Sequence, residues 1–245
     1  MSCIDIPTNK RSVGQQLCSM EYYFKIVHLL LVTLTAHLNG VKVFEFSTSQ
    51  EDKTRAMIVN DAPTPDKFTL CLDFYSRLDT YRRLLKSRES SDIEIQVTEW
   101  GSGIYVKIAG IWYLAIPEDP DYIDTVTWGT ICISYDSKSQ AVTVAFRNSI
   151  VLTEEKIIPN RTLSADFLKS LTLGEKDSTL HFAGDITRVN IWSKTFDEET
   201  LKNITNCGFS DFDEVPDLLN WDNVEVVKEG EIIEKDVDEY PRDVE

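Results

Sequence analysis

Positive charge is in short supply in this chain. Twenty-five Lys and Arg face 41 Asp and Glu, leaving a formal net charge of −16. A surface this acidic repels phosphate backbones and anionic bilayers, so nucleic acid is not an expected partner. The only small basic cluster, Arg82, Arg83, Lys86 and Arg88, reads as a solvated loop or edge. Glycine numbers ten, too few for a collagen-like or glycine-rich linker chain. No segment repeats at a fixed period, which excludes a solenoid or a propeller. One apolar run stands out, Ile26 to Leu38, and it is too short to cross a bilayer comfortably as a helix. No second long run follows it, so a membrane span is not expected.

Lys25, that apolar run and the small or polar Asn39-Gly40 describe a secretory signal, with cleavage after Ala36 or Gly40. Met20 makes a tidier start for it than Met1, and residues 1–19 read as a long n-region or the product of an upstream start codon. The expected organisation is a leader over 1–40, a folded domain over 41–235 and an acidic tail over 236–245. The acid-rich stretch from Asp211 onward reads as solubilising and mobile. Of the three histidines, His28 and His37 fall in the leader, leaving His181 as a strand residue near a turn. A lone imidazole builds neither a Ser-His-Asp triad nor a histidine-rich zinc site.

Cys3 and Cys18 also fall in the leader, so Cys71, Cys132 and Cys207 remain. An odd number in a secreted chain implies one bridge and one leftover thiol. Cys71 and Cys132 each sit in a strand-like run and Cys207 in a loop-like stretch, which favours Cys71–Cys132 with Cys207 free or available to a second chain. Spacing alone leaves all three pairings open. Asn160-Arg161-Thr162 and Asn203-Ile204-Thr205 fit the N-glycosylation pattern.

From Val41 onward the dominant period is two. Phe68, Leu70, Leu72 and Phe74 share one strand face, as do Ile93, Ile95 and Val97, then Ile104, Val106 and Ile108. Ile131 and Ile133, and Val142, Val144 and Phe146, repeat the pattern, with turn-formers such as Ser102-Gly103 and Asp119-Pro120-Asp121 between runs. This spacing predicts an all-β antiparallel sandwich or jelly roll. Phe196 to Ile204 differs. It has acids early, Leu201 and Ile204 three apart and Gly208 beyond, and it predicts one short helix. Paired carboxylates of the kind glycoside hydrolysis needs are offered by Asp92-Ile93-Glu94, which reads as a strand with one solvated face, and by Glu234 to Glu239 in the tail. Neither supplies a cleft, so the chain reads as a binding module and not an enzyme.

Four motifs, in order, resemble the pentraxin family. Phe68 to Leu78 resembles its first cysteine strand. Thr130-Ile131-Cys132-Ile133-Ser134-Tyr135-Asp136-Ser137 is similar to its signature His-x-Cys-x-Ser/Thr-Trp-x-Ser, degraded by Thr130 in place of His and Tyr135 in place of Trp. Gly184 to Trp192 with the short helix after it, and Leu219-Asn220-Trp221, complete the set. The likeness runs from about Val41 to about Glu234. It implies a two-sheet antiparallel jelly roll of the concanavalin A or legume-lectin type, with one short helix on one face, and a Cys71–Cys132 disulfide.

The resemblance also implies ligand binding through two Ca²⁺ ions, each of which takes roughly six to eight oxygen donors. Where the family has an Asp-Asn pair this chain has Ser90 and Ser91, flanked by Glu89 and Asp92. Glu175 and Asp177 match acidic ligands of the family, and Lys176 offers only its backbone carbonyl. The family's later Glu and Gln ligands have no counterpart before Phe182. What remains is one weak Ca²⁺ site at Glu175 and Asp177, or an ordinary acidic turn. The implied function is a secreted, extracellular recognition protein in defence or scavenging, assembling as a cyclic homo-oligomer. Its ligand would be a carbohydrate, a phosphocholine-like group or a protein. The poor calcium ligands favour the alternative, a metal-independent extracellular adhesion or structural protein.

Overall fold

A computed structural model describes residues 41–47, 54–77, 82–88, 92–98, 103–116, 128–155, 163–164, 166–175, 180, 182–207, 212 and 214–237. The chain divides into two units, 1–40 and 41–245, and every described residue lies in the second. The leader expected over 1–40 therefore lies outside the described residues.

The strands are β1 (Val41–Phe46), β2 (Arg55–Val59), β3 (Lys67–Ser76), β4 (Arg82–Ser87), β5 (Ile93–Val97), β6 (Ile104–Ile108) and β7 (Ile111–Ala115). They continue with β8 (Gly129–Asp136), β9 (Ala141–Phe146), β10 (Ser149–Glu155), β11 (Ser170–Leu173), β12 (Gly184–Trp192), β13 (Glu225–Glu229) and β14 (Ile232–Val237). The helix α1 spans Glu198–Cys207. Sheet A runs β10-β9-β8-β3-β12-β1-β14 and sheet B runs β13-β2-β11-β4-β5-β6-β7, seven strands in each. Every pairing in both sheets is antiparallel. Among the described residues, the all-β, two-sheet architecture with one short α-helix is the one the resemblance implies.

The period-two runs become the inner faces. Phe68, Leu70 and Leu72 of β3 are fully buried and register with Tyr135, Ile133 and Ile131 of β8. Ile95 and Val97 of β5, and Val106 and Ile108 of β6, join the same core from sheet B. Each such side chain contributes about 1.5–3 kcal/mol on leaving water. On the opposite face of sheet A, Cys71 and Cys132 are direct partners across β3 and β8 and form the disulfide. Leu201 and Ile204 of α1 cover it, together with Ala145 and Trp192.

The helix starts at Glu198 and ends at Cys207, later at both ends than the predicted Phe196 to Ile204. Phe196 is held before the helix by edge-on contacts with Trp192 and Phe212, both 5.3 Å between ring centroids. Asp197 is the cap, accepting the Thr200 amide at 2.8 Å. Cys207 is thus the last helical residue and not part of a loop.

Two further expectations are corrected. The basic cluster is only partly solvated: Arg82 and Arg83 lie in β4, an interior strand of sheet B, at 0 % and 7 % exposure, while Lys86 is half-buried and Arg88 exposed. The acid-rich C-terminal stretch is not a tail throughout. β13 pairs with β2 and β14 with β1, so its two strands finish one edge of each sheet. Asp236 and Val237, expected in the tail, belong to β14. Gly174 ends β11 at φ +60°, where a Cβ would meet the Phe46 ring at 2.5 Å. Glycine therefore lets the chain leave sheet B at the residue before Glu175.

Candidate ligand face

The outer face of sheet B carries two registered rows of side chains. The first runs Thr172 of β11, Lys86 of β4, Glu94 of β5, Lys107 of β6 and Trp112 of β7. The second runs Arg83, Gln96, Tyr105 and Leu114 across β4 to β7. The register shift between Arg83 and Leu85 puts both Arg83 and Lys86 on this face while Leu85 stays in the core. A cross-strand neighbour lies close enough to interact directly, so each row is a continuous strip of contacts.

Its middle is charged and internally paired. Arg83 Nε donates to Glu94 Oε1 at 2.6 Å, and Gln96 Nε2 donates to the same oxygen at 2.7 Å. The two charged side chains keep only 8 % and 6 % exposure. Glu94 is therefore a buried partner on the outer face, where the sequence suggested a solvated position. Glu175, just past β11, lies 3.5 Å from Arg83, 3.8 Å from Lys86 and 4.0 Å from Arg55. Arg55 itself holds Glu229 of β13 at 2.6 Å.

The β7 end of the rows is apolar and open. Trp112, Leu114 and Ile116 are 43 %, 40 % and 58 % exposed, and Lys107 Nζ stands 5.6 Å from the centre of the Trp112 ring. Sequence reasoning passed over this strip, although Trp112, Leu114 and Ile116 alternate in the way that gave away the core strands. Which face such an alternation serves depends on the neighbouring strands.

Of the calcium candidates, Glu175 is described, whereas Lys176 and Asp177 lie outside the described residues, as do Glu89, Ser90 and Ser91. Asp92 is committed elsewhere, its Oδ2 accepting the Ser164 amide at 2.7 Å. Among the described residues no group of three or more His, Cys, Asp or Glu is placed to hold a metal ion. Asn203 is exposed on α1, while Thr205 of the same sequon is buried and its Oγ1 accepts the Asn148 amide at 3.0 Å. Asn160 and His181 lie outside the described residues. At the degraded signature positions, Tyr135 packs 5.8 Å from Phe68 in the core, and Ser134 Oγ shares a 2.7 Å hydrogen bond with Thr69.

Among the described residues no helix is long and apolar enough to cross a membrane. No curated protein sequence matches the chain. By fold, it is similar to a native heptameric SAP-like pentraxin from Limulus polyphemus, with a TM-score of 0.67 and 12 % identity over 81 % of this chain and 96 % of that one. It is also similar to a protein of Bacteroides ovatus provisionally described as carbohydrate-binding, with a TM-score of 0.55 and 16 % identity over 82 % and 61 % of the two chains. At such identities the likeness shows the fold alone. The model of the Pentaxin family, however, matches residues 42–235, nearly the whole sandwich. On that match the chain belongs to the pentaxin (pentraxin) family, as its four sequence motifs suggested.

Proposed function

We propose that this chain is a secreted recognition protein that binds a saccharide or a phosphocholine-like ligand on the outer face of sheet B, with weak calcium dependence or none. The observation that carries the proposal is the pair of cross-strand rows. They set fixed polar groups at mid-sheet and an exposed Trp112 at the end. A sugar ring offers an apolar face for an aromatic and hydroxyls for convergent polar groups. The Bacteroides ovatus neighbour supports the same ligand class. Weak calcium dependence follows from Glu175, whose carboxylate is already shared among three cations. A calcium ion there would have to displace them or sit beside Lys86. Glycosylation at Asn160 and Asn203, assembly into a cyclic homo-oligomer and a defence or scavenging role belong to this reading. The Limulus protein's description as heptameric supports the assembly.

The test is retention of the full chain on glycan and phosphocholine resins, with calcium and with EDTA. Saccharide retention that survives EDTA and disappears in Trp112→Ala is expected. Retention on no resin in either buffer refutes the proposal. A calorimetric titration adds the metal arm: a tight Ca²⁺ isotherm abolished by Asp177→Ala would overturn the weak-calcium part. Light scattering reads the oligomer, and a mass shift on glycosidase treatment reads the sequons.

A second reading, a metal-independent adhesion protein, draws on the exposed strip Trp112, Leu114 and Ile116, since apolar strips also dock proteins. Binding to deglycosylated cell surfaces, with no small-sugar affinity, would favour it.

A further inference from the structure

This inference goes beyond the ligand-face reading and does not depend on it. It concerns the strands that end the two sheets, β10 and β14 in sheet A and β13 and β7 in sheet B. A strand edge invites another chain to pair with it, and charged side chains there discourage that. β10 carries Glu154 and Glu155, β13 carries Glu225, Lys228 and Glu229, and β14 carries Glu234, Lys235 and Asp236. β7 carries no charged residue, and its ladder with β6 runs without a bulge.

The backbone of β7 is aimed for pairing. Ala109 and Gly110 link it to β6 at φ +50° and +78°, the left-handed pair of a tight type I′ hairpin. Ile108 and Ile111 flank that turn and exchange both hydrogen bonds, so Lys107–Trp112 and Tyr105–Leu114 are the non-hydrogen-bonded pairs of the ladder. The amides and carbonyls of Trp112 and Leu114 therefore point away from β6, and among the described residues β7 pairs with no other strand. Pro117 favours extended backbone at the residue before it, so the strand direction carries on to Ile116.

From Trp112 to Ile116 the side-chain pattern reads alike in both directions. Laid antiparallel on a second copy with Leu114 against the partner's Leu114, Trp112 meets the partner's Ile116 on the outer face. Tyr113 then meets the partner's Ala115, large against small. The outward amides and carbonyls at 112, 114 and 116 fall on hydrogen-bonded pairs in the same register. A chain of net charge −16 repels its own copy, and this uncharged strip is where the repulsion costs least.

We infer that β7 is a self-association edge, at which two copies pair antiparallel about Leu114 and join their seven-stranded B sheets into one. The contact is two-fold and closes on itself, so it is separate from the cyclic assembly proposed above. Trp112 sits at the seam, where the outer rows of the two copies meet.

The experiment is light scattering on the full chain over a concentration series. The parent is expected to give a particle with an even number of subunits. Leu114→Lys and Leu114→Glu each set like charges face to face across the seam. Each should raise the dissociation constant at least about tenfold and halve the mass where the parent is paired. Because residue 114 meets itself, mixing the two variants in equal amounts should restore the mass. Thermal unfolding checks the fold of each variant, and Ile116→Lys, at a position 58 % exposed, repeats the weakening should the Leu114 variants unfold. A parent that stays monomeric throughout the series, or a mass that no variant changes, overturns the inference. Halving in both Leu114 variants without recovery on mixing overturns it as well, since residue 114 would then face something other than itself. Failure of the resin tests leaves it standing.

Discussion

The ion pair between Arg83 and Glu94 gives the sharpest test of how sheet B is built. Both side chains point to the outer face, yet they retain only 8 % and 6 % exposure, and the bond between them is 2.6 Å long. An exposed pair would be worth about 0–1 kcal/mol. Removing one partner of a buried pair strands the other charge and loses about 3–5 kcal/mol. The two single changes should not be equal. In Arg83→Met, Glu94 keeps Gln96 as its one hydrogen-bond donor among the described residues, so the loss should fall in that full range. In Glu94→Gln, Arg83 retains Glu175 at 3.5 Å, so the loss should be smaller, about 2–3 kcal/mol. The double change Arg83→Met with Glu94→Gln strands neither charge and should lose no more than about 2–3 kcal/mol, giving a coupling energy of about 3–5 kcal/mol. Urea unfolding followed by tryptophan fluorescence measures all four corners. With a slope of about 2–3 kcal/mol per molar, Arg83→Met should lower the midpoint by more than about 1 M. Single losses below about 0.5 kcal/mol with no coupling would refute the reasoning and return the pair to the solvated face.

Three other outcomes follow from the same structure. Replacing Cys71 and Cys132 together by Ala opens a link across 61 residues and should lower stability by about 4 kcal/mol in urea unfolding; unchanged stability would show the bridge to be absent. Gly174→Ala places a Cβ 2.5 Å from the Phe46 ring at φ +60° and should lose about 1–3 kcal/mol in thermal unfolding, part of it restored by adding Phe46→Leu. On sheet A, hydrogen bonds from Lys235 and then Arg77 hold the Glu45 carboxyl below its usual range, so Glu45 stabilises the fold above its unfolded pKa and loses that contribution as pH falls through the folded value. Burial pushes neighbouring Asp185 the other way, against Arg77 and Lys235, so its contribution shifts toward the fold as pH falls. Urea midpoints from about pH 3 to 7 should therefore show a shallower loss of stability on acidification in Glu45→Gln and a steeper one in Asp185→Asn. Identical slopes in both variants and the parent would count against this assignment.

The inner faces were legible because they obey a local rule. Phe68, Leu70, Leu72 and Phe74 alternate, and all four are buried at the centre of sheet A. The disulfide was legible from the strand-like runs around Cys71 and Cys132 and from the family resemblance, and the structure registers the two as direct partners. What the sequence hid depends on pairing between distant segments. Arg82 and Arg83 look like surface charge until β11 and β5 close on either side of β4. Val226 to Lys228 and Ile232 to Lys235 look like part of an acidic tail until β2 and β1 supply their backbone partners. A charge count along the chain cannot register a carboxylate and a guanidinium brought together from β5 and β4.

The same limit bears on calcium. Read along the chain, Glu175 is one of two acids in a family-like ligand loop, and the natural inference is a cation site with some ligands missing. Read across sheet B, that carboxylate stands against Arg83 and Lys86 of β4 and Arg55 of β2, three residues separated from it by 89 to 120 positions. Divalent-cation sites gather carboxylates so that their mutual repulsion is relieved by the metal. Here the relief comes from side chains, and each guanidinium or ammonium that supplies it also repels an incoming Ca²⁺. Glu175→Gln should therefore leave calorimetric Ca²⁺ uptake as weak or absent as in the parent, and a large loss of uptake in that variant would restore the calcium reading.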